Sequence, residues 1–291
     1  MKFHEPVLVP EILQWMNLKE KGMYCDCTVG GGGHLNAMLQ ATRQARFIGV
    51  DWDAEAITHT REQLAAYSDR ISLHQANFIN LDLILDDLKI HLVNGILFDL
   101  GVSYHQLVTP ERGFSFEREG GLLMQMSSDN IPLIQKLRVA TKLDLAGVLR
   151  DYGDVRNAMG FARLIHENRN MLRTTLDLRQ LIERITPRRF LKKNLHKVFQ
   201  AFRIWVNNEL TNLKEGITRA IRKLARGARI LVISYHSGED RIVKNLFREL
   251  EKENQLRRLN KKVIKPGAEE VNSNPSARSA KLRVAERCAA S

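Results

Sequence analysis

The chain has 291 residues, 44% of them apolar, enough to bury a full core as one large or two modest domains, and its composition excludes disorder over most of its length. Lys and Arg number 45 against 33 Asp and Glu, and the resulting +12 points to a polyanionic partner, RNA, DNA or an anionic membrane, beyond solubility charge alone. No apolar run reaches the roughly 18–20 residues of a spanning helix, and the start lacks the n- and h-regions of a signal peptide. Cys25, Cys27 and Cys288 cannot form a disulfide framework, and no further Cys/His cluster completes a zinc site, so no metal and a reducing cytoplasm are expected.

The first element is a short amphipathic helix around Ile12, Leu13 and Met16, preceded by His4-Glu5-Pro6-Val7-Leu8. Next comes the stretch that organises the rest: Tyr24-Cys25-Asp26-Cys27-Thr28-Val29, the four glycines 30–33, and a helix from about His34 to Thr42. Glycines permit positive φ and let a ligand reach the main chain, and the helix start adds donors and partial positive charge. A plain tight turn would use the same residues. A dinucleotide fingerprint needs a third glycine, and Leu35 or Asn36 stands at that place, which disfavours a nicotinamide cofactor. S-adenosylmethionine has no pyrophosphate and asks only for the Gly turn and an acid ending the preceding strand, here Asp26. Gly30, Gly32, Gly33 and His34 are therefore candidate cofactor contacts.

The run from Arg46 to Asp51 is a second apolar strand ending in an acid, 25 positions after Asp26, the length of one βαβ unit. Asp51 is placed to accept hydrogen bonds from ribose hydroxyls; the alternative, a cap on the next helix, is open to Asp53 instead. A third strand covers 71–76, followed by Phe78, which borders an adenine or simply fills the core. A fourth, buried strand ends in Asp99 and the loop Leu100-Gly101-Val102-Ser103. Near-continuous apolar strands alternating with helices predict an α/β fold, a doubly wound, mostly parallel sheet covered on both faces. Ligands in such sheets lie outside the carboxyl ends of the strands, where all these candidates fall.

From about 110 to 195 the rhythm gives way to helical periodicity, clearest at 144–152, 156–168 and 176–185, which reads as an inserted helical subdomain. Its far end is a basic run interleaved with apolar residues, including Arg188, Arg189, Lys192, Lys193 and Lys197, a candidate RNA-phosphate surface. A stripe from Phe199 to Leu224 predicts one long helix returning to the sheet, followed by a buried strand at 228–234. Behind it, Tyr235-His236-Ser237-Gly238-Glu239-Asp240 opens a helix in which Ser237 and Asp240 have capping-box spacing. His236 and Asp240 crowd another strand end and are second candidates, after Asp99, for a catalytic role. A basic tail leads to a last strand at 280–285.

These residues resemble the RsmH (MraW) family over nearly the whole length. The motifs are His4-x-Pro-Val-Leu, Asp26-x-Thr-x-Gly-x-Gly-Gly-His34, Gly95-Ile-Leu-Phe-Asp-Leu-Gly-Val-Ser103 with Gln106-Leu107, and Glu111-Arg-Gly-Phe-Ser-Phe116. Later come Phe199-Gln-Ala-Phe-Arg-Ile-Trp-Val-Asn-x-Glu-Leu210, Ile233-Ser-Tyr-His-Ser-x-Glu-Asp-Arg-Ile-Val-Lys244 and Asn274-Pro-x-x-Arg-Ser-Ala-Lys-Leu-Arg283. The resemblance implies a class I, Rossmann-like S-adenosylmethionine-dependent methyltransferase acting on cytidine N4 in small-subunit (16S) ribosomal RNA near the decoding centre. It implies small-subunit ribosomal RNA as partner, in the assembled 30S particle ahead of naked RNA with both open, no membrane partner, and leaves a homodimer open. It carries cofactor contact over to Gly32, Gly33, His34, Asp51, Phe78, Asp99 and Gln106. It also implies a methyltransferase domain over 1–109 and 199–291, with a substrate-recognition domain inserted at 110–198. Two segments depart from the family pattern. Gly120-Gly121-Leu122-Leu123-Met124-Gln125-Met126-Ser127 replaces Gly-Pro-Leu-Asp-Met-Arg-Met-Asp, and Lys193-Asn194-Leu195-His196-Lys197-Val198 replaces His-Pro-Ala-Thr-Arg-Thr. These departures keep open an alternative, a non-catalytic RNA-binding assembly factor that retains the cofactor fold.

Overall fold

The computed structural model describes residues 6–288, so His4 and Glu5 of the first motif lie outside the described residues. The chain divides into two units, Met1–Gly101 with Leu210–Ser291, and Val102–Glu209. The expected borders at 109/110 and 198/199 both fall inside the second unit.

In chain order, the first unit begins with α1 (Val9–Met16), β1 (Met23–Asp26), α2 (Gly33–Gln40), β2 (Arg46–Asp51) and α3 (Ala54–Gln63). It continues through β3 (Ile71–Gln75), α4 (Leu81–Asp87) and β4 (Val93–Asp99). The second unit holds α5 (Tyr104–Val108), α6 (Leu133–Val139), α7 (Lys142–Asp151), α8 (Ala158–Asn168), α9 (Thr175–Glu183) and α10 (Arg188–Asn207). Then follow α11 (Glu209–Arg222), β5 (Leu224–Ser234), α12 (Ser237–Lys252), β6 (Leu256–Arg258), α13 (Ala268–Ser273) and β7 (Lys281–Arg287).

The strands form one seven-stranded sheet of order β3-β2-β1-β4-β5-β7-β6. The first five are parallel; β7 runs antiparallel to β5, and β6 antiparallel to β7. Successive residues of a strand point to opposite faces, and both faces are covered. Ile96 and Phe98 of β4 join a core with α11 and α12, while Leu97 between them joins another with α1 and α2. Side chains such as these contribute about 1.5–3 kcal/mol each on burial, and this two-sided cover is why the strands read as unbroken apolar runs. The strand order reverses between β1 and β4, which are neighbours in space, and a crevice at such a switch point is where this architecture takes ligands.

The second unit is helical around its own core, which includes Phe116, Leu122, Met124, Leu149, Phe161, Leu178 and Phe202. The single long helix expected over 199–224 is two helices. The stripe serves two cores: Phe199, Phe202 and Val206 pack in the second unit, Leu213, Ile217 and Ile221 in the first. Asn208, at φ 50, breaks the helix between them, a left-handed conformation that asparagine tolerates. The stripe's last residue, Leu224, opens β5 instead. No helix among the described residues is long and apolar enough to cross a membrane.

Candidate functional site

Three parallel strands of the first unit, β1, β2 and β4, end in Asp26, Asp51 and Asp99. Each strand is an apolar run stopped by a carboxylate, so in-register pairing delivers the three acids to the same edge of the sheet. Asp26 is buried, and its Oδ1 accepts the Thr28 amide at 3.2 Å while Oδ2 has no hydrogen-bond partner among the described residues. Burial, opposed by His34 and the Thr28 amide and reinforced by Asp99 and Asp51, pushes the Asp26 carboxyl up to about 7. A buried carboxylate oxygen without a donor is costly unless a ligand supplies one.

The glycine turn is built around Asp51. Its Oδ2 accepts the Gly30 amide at 2.8 Å and its Oδ1 the Asp53 amide at 2.8 Å. Burial outweighs these bonds and raises the Asp51 carboxyl to about 6. Asp53, not Asp51, caps α3, its Oδ1 accepting the Glu55 amide at 3.1 Å. Gly30 and Gly32 have φ of 51 and 78, in the left-handed region that favours glycine, and the Thr60 hydroxyl donates to the Gly30 carbonyl at 3.1 Å. A Cβ on Gly30 would meet nothing nearer than 4.0 Å, whereas one on Gly32 would lie 3.0 Å from Thr60. Gly33 opens α2, followed by His34, whose buried ring places Nε2 2.8 Å from the Val7 carbonyl.

Asp99 is bracketed. The Tyr235 hydroxyl donates to its Oδ1 at 2.8 Å, and His34 Nδ1 lies 3.6 Å from its Oδ2. Its amide donates to the Thr28 hydroxyl at 2.6 Å, and its side chain keeps 14% exposure, so the carboxylate is held yet reachable. Burial and the adjacent Asp99 carboxylate push the Tyr235 phenol well above its ordinary value, which keeps it a donor. Thr28 and Tyr235 carry no local sequence signal for this role, although Thr28 lies in the Asp26–His34 motif and Tyr235 in the Ile233–Lys244 motif. Phe78, half-buried, sets its ring edge-on to Phe98 at 5.4 Å and fills the space beside Gly216, so it serves the core.

The other two catalytic candidates are engaged in structural roles. His236, rather than Ser237, caps α12: its Nδ1 accepts the Gly238 and Glu239 amides at 3.2 and 3.4 Å, while Nε2 lies 3.1 Å from Glu239 Oε1. Asp240 receives two bonds from the nearly buried Arg283 guanidinium, at 2.7 and 3.2 Å, tying α12 to β7. Gln106 belongs to the second unit, where its side-chain oxygen accepts the Ser103 amide at 3.0 Å in a reciprocal cap of α5.

Arg188, Arg189, Lys192 and Lys193 are exposed on the first half of α10. Arg189 stacks over the Phe190 ring at 4.7 Å, and Lys192 reaches Glu117 at 3.7 Å. Lys197 is drawn away from such a surface: its ammonium binds the Asp154 carboxylate at 2.9 Å and the Asp154 carbonyl. The two departing segments are absorbed into this unit, with Leu122, Met124, Leu195 and Val198 in the core and His196 edge-on to Phe116 at 4.8 Å.

Chemically, the strand-end cluster can hold a cationic ligand that also carries hydroxyls: a Cβ-free turn, three carboxylates, and one buried oxygen lacking a donor. A family model described as the MraW methylase family matches residues 1–288. The ribosomal RNA small subunit methyltransferase H of Thermotoga neapolitana is 42% identical over 291 residues, 98% of this chain and 96% of that protein. Its namesake in Persephonella marina is 42% identical over 98% of this chain and 99% of its own length. That of Clostridium botulinum is 38% identical over 97% of each.

Proposed function

The chain belongs to the MraW methylase family, and from that premise we propose that it transfers a methyl group from S-adenosylmethionine to N4 of a cytidine in small-subunit ribosomal RNA, near the decoding centre of the assembled particle. The observation that carries this reading is the convergence of Asp26, Asp51 and Asp99 on the carboxyl edge of the sheet, beside the switch point between β1 and β4. When bound, the cofactor supplies an electrophilic methyl on a cationic sulfur. Asp51 takes the ribose hydroxyls with the lone pairs that the Gly30 and Asp53 amides leave over. Asp26 offers its unpaired oxygen to a cationic group, and the glycine turn lets the nucleoside lie against the backbone.

An exocyclic cytosine amine is a poor nucleophile because its lone pair is delocalised into the ring. Orientation supplies much of the acceleration; in-line positioning is worth up to about 7–11 kcal/mol. Asp99 accepts an N–H bond of the amine, localises the lone pair and takes the proton as charge develops. The Tyr235 hydroxyl, donating to Oδ1 at 2.8 Å, holds the carboxylate in place for that role. The base leaves its stack to reach the methyl, at a cost of a few kcal/mol. Arg188, Arg189 and Lys193 of α10 meet RNA phosphates, with Lys192 joining once RNA competes for Glu117. The test is labelled S-adenosylmethionine incubated with small ribosomal subunits that lack the modification, followed by nucleoside mass spectrometry. N4-methylcytidine is the expected product; binding of subunits without transfer would favour the RNA-binding assembly factor.

A further inference from the structure

A sheet edge that gathers Asp26, Asp51 and Asp99 repels the phosphates of an RNA brought to it. Cations that offset this repulsion stand at the same edge. β7 runs antiparallel to β5, so its first residue, Lys281, pairs with Ser234 at the carboxyl end of β5. Asp99 pairs with Ile233, and Ile233 with Leu282, so Lys281 stands one residue beyond the row of Asp99 and two strands across. At ordinary strand spacing that is about 10 Å.

The segment after β6 brings a second lysine to this place. Ile264 and Leu282 exchange both backbone bonds, at 3.1 and 2.9 Å, and the antiparallel register sets Lys265 opposite Lys281. Asn260 fixes the segment: its side-chain oxygen accepts the Val284 amide at 2.7 Å, and its side-chain nitrogen donates to the Lys262 and Leu282 carbonyls, both at 3.0 Å. Arg278, exposed, precedes β7 by one short turn. Like charges set opposite each other across a ladder are destabilising. Among the described residues, no acid lies within ion-pair distance of Lys265, Arg278 or Lys281. Residues 255–287 hold nine Lys and Arg against three Asp and Glu. Glu286 is taken by Arg229 and Arg257, and Glu270 by the Leu8 amide, which leaves Glu269 alone to balance the rest.

We propose that Lys265, Lys281 and Arg278 form a phosphate site on the rim of the first unit, where it grips the RNA backbone beside the target cytidine. This inference rests on the reading of the protein as an RNA methyltransferase and gives the catalytic unit a backbone contact of its own, in addition to α10. A nucleotide carries its base and its phosphates at opposite ends of the ribose, so a base turned in to Asp99 leaves its phosphates outside. Lys281 shares the face of Ala285, and Asp99 that of Leu97, so the backbone lies across the rim from the base. A fixed pair of cations at this spot also loses little freedom when a phosphate arrives.

The test is the salt dependence of binding to unmethylated small ribosomal subunits and to a single-stranded RNA oligonucleotide, for the wild type and for Lys265→Gln combined with Lys281→Gln. The double variant should bind both RNAs about tenfold more weakly, with a log–log salt slope smaller by about 1–2. Its S-adenosylmethionine affinity should not change, and its melting temperature should be no lower than that of the wild type, because an opposed pair of charges has been removed. Lys265→Arg with Lys281→Arg keeps both charges and should bind as the wild type does. Wild-type affinity and slope in the Gln pair would show these lysines to be solvated surface charge and overturn the site. A matching loss in the Arg pair would assign the effect to packing and overturn it as well. Binding is read without methyl transfer, so a wild type that binds RNA through these lysines and forms no N4-methylcytidine would sink the catalytic reading and leave the phosphate site standing. Binding of neither RNA by the wild type would bring down both.

Discussion

Asp26 shows how a single residue sets the pH response of the ligand-free protein. Its carboxyl is held near 7 by burial, against an ordinary 3.8. Between those values the folded chain keeps a proton that the unfolded chain has released, so unfolding is progressively favoured as pH rises. The contribution of Asp26 to stability is therefore fully present below about pH 4 and lost by about pH 7. A cationic ligand reverses the preference by favouring the ionised form. Asp26→Asn should consequently raise the melting temperature of the ligand-free protein more at pH 8 than at pH 4.5, measured by scanning calorimetry. An equal change at both pH values would show that the carboxyl is not held protonated.

Among the elements, the loop of residues 120–130 and α10 depend on one another through Asn207. This wholly buried side chain accepts from the Met126 amide at 2.8 Å and the Asn130 side chain at 2.9 Å, and donates to the Met124 and Arg203 carbonyls at 2.8 and 2.9 Å. Removing it strands a buried amide and carbonyl, each costing about 1–3 kcal/mol. Asn207→Ala should therefore lower stability by roughly 3 kcal/mol in urea unfolding monitored through Trp205. A loss below about 0.5 kcal/mol would mean that water replaces these bonds. The strands and their terminal acids were legible in the sequence because an apolar run closed by Asp is a local signal. Asn207 was not, since its role joins segments 77 to 83 positions apart. The helix break at Asn208 left the apolar spacing intact and was hidden for that reason. The same distance effect concealed the hold on Asp99, where Tyr235 stands 136 positions away, and on His34, where Val7 stands 27 away. His236 as a cap is masked in the sequence by Ser237, the commoner capping type, which sits next to it.

Across the whole molecule, charge and chemistry are divided between the two units. Residues 102–209 hold 18 Lys and Arg against 11 Asp and Glu, so +7 of the chain's +12 lies in about a third of its length. The first unit instead gathers carboxylates at one sheet edge. On the proposed reading the basic unit meets RNA phosphates and the carboxylate edge of the sheet takes the cationic methyl donor, which divides the methyltransferase's two tasks between them. The most direct measurement is single-turnover methyl transfer to small ribosomal subunits by Asp99→Asn, alongside cofactor affinity by calorimetry. Cofactor affinity within about tenfold of wild type and transfer slowed by roughly 10²–10⁴-fold are expected for loss of a proton acceptor. Transfer at the wild-type rate by a variant that still binds the cofactor would contradict the role assigned to that carboxylate.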